Sequence, residues 1–112
     1  LNNFFHLSTN KELGNKPGLI ISISSGLNGV YPVTELRINS YKNNYICYIP
    51  QHVIVRNVNT VLNKLDVSEN DEDKFIRSRI ESSLQVLAEY AKGFQIIRAS
   101  DAVQKFPFSY GM

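Results

Sequence analysis

The sequence predicts an α/β domain built on a parallel sheet. Strand-like and helix-like segments alternate in the order helix, strand, helix, strand, helix. Residues 18–24, Gly-Leu-Ile-Ile-Ser-Ile-Ser, hold too few polar side chains for one face to meet water, the pattern of a strand in a sheet interior. Ile76, Ile80, Leu84, Leu87 and Ala91 recur at steps of four, four, three and four, which makes one apolar helical stripe.

The elements follow in order. Residues 1–8 carry Leu1, Phe4, Phe5 and Leu7 and read as the end of a helix with an apolar face. Residues 9–16 are polar, run into Gly14-Asn15-Lys16-Pro17, and read as a loop. After the strand at 18–24 and a small turn, Pro32 marks the first turn of a helix, where its missing N–H costs nothing. That helix runs to about Tyr41 and is ended by Lys42-Asn43-Asn44. Residues 45–49, Tyr-Ile-Cys-Tyr-Ile, form the next strand, which Pro50 stops; residues 52–58 continue extended. Residues 57–66 connect to the striped helix. Ser68 and Asn70 both stand at N-cap spacing for it, and Gly93 is placed for its C-cap. The tail, residues 94–112, holds Phe94, Ile96, Ile97, Phe106, Phe108 and Tyr110. It is too apolar to hang free, so it is expected to pack on the domain (residues 1–93) or on a partner.

A chain of 112 residues sets a ceiling of one domain. The net charge of +2 is spread along the chain with no block of five or six like charges, so the footprint of a nucleic-acid binder is missing. No apolar run approaches the ~20 residues that cross a bilayer, and residues 1–7 lack the basic start and apolar stretch of a secretory signal. Cys47 is the only cysteine and cannot close an internal disulfide; a reduced, cytoplasmic setting is the simplest reading.

The chemistry concentrates in Ser24, Ser25, Gly26, Leu27, Asn28 and Gly29. They form a small polar turn between a strand and a helix. That position puts backbone N–H groups and hydroxyls at the carboxyl end of a strand, where open α/β sheets bind ligands. The bland reading of the same residues is a connecting turn with no ligand.

With that layout in place, the chain resembles the C-terminal half of an NAD(P)H-dependent FMN reductase of the flavodoxin-like superfamily. Leu1-Asn2-Asn3 and Phe4-Phe5-His6 resemble the family's helix start after its second flavin loop. Lys16-Pro17 resembles the pair that introduces the fourth strand. Ser24-Ser25-Gly26-Leu27-Asn28-Gly29 resembles the third flavin-contacting loop, and Leu36-Arg37 the pair on the helix that follows. Tyr48-Ile49-Pro50 stands where the last strand ends. The likeness covers roughly residues 1–91.

The resemblance implies a flavodoxin-like three-layer sandwich with a parallel sheet, of which this chain holds the last two strands and their helices. It implies FMN and NAD(P)H as cofactors, a flavin or quinone reductase activity in the parent protein, and a homo-oligomer formed through helices or tail. The flavin performs the chemistry, so no side chain here need be catalytic. The sequence also departs from the family. Asn28-Gly29 replaces a Gly-Gly pair; Asn tolerates left-handed backbone, which would preserve the turn. Asn3 and His6 replace a Lys and an Asp, and no Gly-Ser-x-Arg phosphate loop occurs. FMN phosphate needs converging N–H donors at a helix N-terminus. This chain therefore offers the isoalloxazine side alone. Without the missing half, the strand at 18–24 would be an apolar edge prone to aggregation.

Other residues have plainer readings. Tyr31 either covers a ring face or packs. His52 lies just past a strand end and is a polar site candidate. His6 and His52, with no carboxylate or Cys at ligand spacing, make a zinc site improbable, and no metal ligand is assigned. Cys47 is a mid-strand, buried, inert thiol. The rival function is a non-catalytic α/β module that binds a partner protein and no flavin.

Overall fold

The structure is a computed structural model that describes residues 10–41 and 44–108. The helix expected over residues 1–8 lies outside them, as do Lys42 and Asn43 of the expected helix stop. In chain order the elements are α1 (Asn10–Leu13), β1 (Pro17–Ile23), α2 (Tyr31–Asn39) and β2 (Cys47–Val55). A 3-10 turn at Val58–Thr60, α3 (Asp71–Ala99) and α4 (Asp101–Gln104) follow.

β1 and β2 pair in parallel, with α2 as the crossover between them. The chain is thus a mixed α/β structure on a two-stranded parallel sheet. α1 is a short helix inside a stretch expected to be loop. It ends where Asn15 takes a left-handed backbone with φ 52°, a conformation that Asn tolerates better than most residues.

Residues that alternate along β2 separate the two faces of the sheet. Val53 and Val55 are fully buried and pack with Val61 and Ile76, ringed by Val58, Leu62 and Ile80. On the other face the segment leading into α2 closes down. A Cβ on Gly29 would stand 2.8 Å from Ile54 Cγ2, so only glycine fits there without a shift. β1 is less enclosed than its composition suggests. Ile20 is buried, but Ile21 is 41% and Ile23 63% exposed. Among the described residues β1 has a neighbour on one edge only, and so forms the open apolar edge expected of this strand without further polypeptide.

Pro50 does not end a strand. The register passes from Gly18 opposite Tyr48 to Ile20 opposite His52, so β2 advances four residues while β1 advances two. The irregularity lifts Pro50, which has no N–H to donate, out of the ladder, and one strand continues through it. His52 accordingly lies within β2 rather than beyond its end.

α3 starts at Asn70, whose side chain accepts from the Asp73 N–H at 2.8 Å. Asp73 is fully buried and accepts from the N–H groups of Leu62 and Glu69, each at 3.0 Å, and from Arg77 Nε at 2.8 Å. One carboxylate thus pins the connector to the first turns of the helix. Gly93 is no C-cap. A Cβ there would meet nothing within 4 Å, and the helix runs on to Ala99, where Ser100 caps its end and starts α4. A helix of 29 residues is about 43 Å long and outruns a nine-residue strand of about 30 Å. Only the first part of the apolar stripe can reach the sheet: Ile76 is buried, Ile80 and Leu87 are half-buried, and Leu84 is exposed.

Candidate functional site

The six residues from Ser24 to Gly29 follow β1 directly and precede α2, at the carboxyl end of the sheet. They divide into an anchored set and a presented set. Ser24 N–H donates to the Val55 carbonyl at 2.8 Å, and the Ser24 carbonyl accepts from Val58 N–H at 3.1 Å. Ser24 Oγ accepts from Gly26 N–H and donates to the Gly26 carbonyl, both at 3.1 Å, a compact serine turn. The Gly26 carbonyl also accepts from Asn57 N–H at 3.1 Å. Asn57 reaches it from a left-handed backbone with φ 46°. Ser24 and Gly26 are therefore held by the end of β2, and Gly29 is wedged against Ile54.

Ser25, Leu27 and Asn28 are exposed, and their backbone N–H groups donate to nothing among the described residues. Beside them stand exposed apolar side chains: Leu27 itself at 74%, Tyr31 at 78%, and Ile23 at the strand end. The surface thus combines free amide donors with an apolar fringe and carries no charged side chain from residues 24–31. The turn needs no left-handed residue. Asn28 is not left-handed, and no described glycine has a positive φ, so the conformational role expected of Asn28 is corrected. Close approach, at Gly29, is what demands glycine.

Pro32 stands in the first turn of α2, as its fixed φ favours. Cys47 is the first residue of β2 and half-buried. Burial raises its thiol pKa above the ordinary range, and Sγ donates to the Tyr45 carbonyl at 3.6 Å. His52 lies opposite Ile20, with its Nδ1 buried and without a hydrogen-bond partner among the described residues. Among the described residues no group of three or more His, Cys, Asp or Glu side chains could hold a metal ion. No described helix is long and apolar enough to cross a membrane.

Two residues take roles that local sequence pattern does not signal. Asn57 ties Gly26 in place, and only the Asn in a polar connector hinted at its left-handed backbone. Arg37, noted for its motif, grips the irregular part of β2 through the Ile49 and Pro50 carbonyls. Comparison with family models, with curated proteins and with solved structures gives no match.

Proposed function

We propose that this chain forms part of an FMN-dependent NAD(P)H oxidoreductase of the flavin or quinone reductase type, and that the 24–29 loop meets the isoalloxazine ring. One observation carries the reading: unengaged N–H groups of Ser25, Leu27 and Asn28 stand beside exposed Leu27, Ile23 and Tyr31 at the carboxyl end of a parallel strand. A flavin ring asks for that pairing, amide donors at its polar edge and apolar contact on its face.

When bound, the flavin supplies two-electron transfer from NAD(P)H to an acceptor. The chain's own residues bind and orient. Ser25, Leu27 and Asn28 donate to the polar edge of the ring. Ser24, Gly26 and Asn57 fix the loop that carries those donors. Leu27 and Tyr31 exclude water from the ring. This sequence has no Gly-Ser-x-Arg, so its role in the proposed site is confined to the ring side. Exposed Ile96 and Ile97 on α3 suit a homo-oligomer.

The test is an FMN titration of the native polypeptide that carries this sequence, followed by flavin fluorescence and by NAD(P)H-driven loss of the yellow absorption. Saturable binding and bleaching support the reading. A folded protein that neither binds FMN nor bleaches overturns it.

The second reading, a non-catalytic module docking another protein, is favoured by exposed Ile21 and Ile23 on the open side of β1. A colourless protein whose partner binding is lost in Ile23→Lys would establish it.

A further inference from the structure

The amino end of the sheet carries a second concave site, at the other end of β1 from the 24–29 loop. It is a cavity of about 510 Å³ lined in part by Lys11, Lys16, Tyr45, Arg98, Phe106 and Phe108. That volume lies within the roughly 300–1,000 Å³ of small-molecule sites. We propose that it binds a small aromatic anion, a flat ring system bearing one carboxylate or phosphate.

Three aromatic rings form one wall of the cavity. Tyr45 and Phe106 meet edge to face with centroids 6.3 Å apart, and Phe106 and Phe108 do so at 5.4 Å. Edge-to-face pairs leave ring faces open, and Phe106 and Phe108 remain more than half exposed. A ligand ring can stack on those faces.

The anionic half comes from charge. Lys11, Lys16 and Arg98 line the cavity, and no Asp or Glu does. The ion pairs found among the described residues use neither Lys16 nor Arg98. Lys16 Nζ donates to the Glu12 carbonyl, and Arg98 Nη1 to the Asn15 carbonyl at 3.0 Å. Both acceptors are neutral carbonyls, so among the described residues neither charge is taken up in an ion pair, and guanidinium and ammonium keep further N–H donors for a ligand.

The site is also held in shape. Asn15 and Tyr45 both adopt left-handed backbone, with φ 52° and 56°, and Asn15 N–H donates to the Tyr45 carbonyl at 2.9 Å. A bulky residue such as Tyr45 seldom takes that conformation without a reason. Here it turns the ring toward Phe106 and lets its hydroxyl donate to the Phe108 carbonyl at 3.3 Å. Arg98 closes the other side on Asn15, 83 residues away in sequence.

This site is independent of the flavin reading, and either can fail alone. The probe is 2-naphthoate, titrated by calorimetry into the full chain with neutral 2-naphthalenemethanol as the matched control. The expected result is saturable one-to-one binding. The alcohol, and the Lys16→Gln and Phe106→Ala variants, should each bind at least tenfold more weakly, with circular dichroism unchanged. Absence of naphthoate binding, equal binding of the alcohol, or an affinity unmoved in a folded Lys16→Gln variant would overturn the proposal. Lys16 is exposed on the surface, so that variant keeps the test valid if Phe106→Ala fails to fold.

Discussion

Arg37 donates through Nη2 to the Pro50 carbonyl at 3.1 Å, and through the same nitrogen to the Ile49 carbonyl at 2.9 Å. These carbonyls lie where β2 slips its register against β1. A guanidinium on the crossover helix thus satisfies backbone acceptors that the irregular ladder leaves over. Hydrogen bonds from a charged donor are worth about 1.5–3 kcal/mol. Arg37→Ala should lower unfolding stability by about that amount in a urea titration. Arg37→Lys, with one compact ammonium in place of the planar fork, should recover only part of it.

Gly29 against Ile54 gives a second prediction. Gly29→Ala puts a methyl 2.8 Å from Ile54 Cγ2 and should destabilise by about 1–3 kcal/mol, the range for overpacking. Ile54→Ala removes the obstacle. In a double-mutant cycle the penalty of Gly29→Ala should shrink by more than half in the Ile54→Ala background. An unchanged penalty would place the strain elsewhere.

Asp73 sets a pH dependence. The Glu69 N–H holds its carboxyl below the ordinary carboxylate range; burial opposes this, and the Leu62 N–H and Arg77 add to the lowering. A folded pKa below the unfolded one means that the unfolded chain binds the extra proton, so this stabilisation rises with pH. It is complete above the ordinary Asp value of about 3.9 and lost as pH falls through the lower folded value. Asp73→Asn should cut the melting temperature at pH 7 by at least about 5 °C. The variant should also show a flatter stability profile between pH 5 and pH 3, read by thermal unfolding across about that window.

Ile23 tests the apolar fringe of the loop. Ile23→Lys should weaken FMN retention by about 1.5–3 kcal/mol, the scale of a lost apolar contact, and leave unfolding stability nearly unchanged because Ile23 is 63% exposed. Unaltered FMN retention in a flavin titration would remove Ile23 from the site.

The α/β class was legible because it depends on local patterns that alternate regularly. The β-rich run at 18–24 and the spacing from Ile76 to Ala91 both point to elements that form. What local pattern misjudged was set by contacts remote in sequence. Pro50 looked like a strand stop, but a register slip and Arg37 let the strand pass through it. Gly93 looked like a cap, but nothing near it forces a left-handed turn, and the residues after it keep helical habit. For the loop, sequence singled out residues 24–29 but could not divide them. The split between anchored Ser24 and Gly26 and presented Ser25, Leu27 and Asn28 depends on Asn57 and Val58, more than 25 residues downstream. Tyr45, Arg98 and Phe106 gave no signal of their cavity, since its walls meet only in the folded chain.

The loop's role is tested most directly by backbone amide chemical shifts of the native polypeptide during FMN addition. The Ser25, Leu27 and Asn28 amides should move to saturation, while those of Lys16 and Arg98, at the other end of the sheet, should stay in place. Saturable FMN binding that leaves the three loop amides unmoved, or no binding at all, would contradict that role.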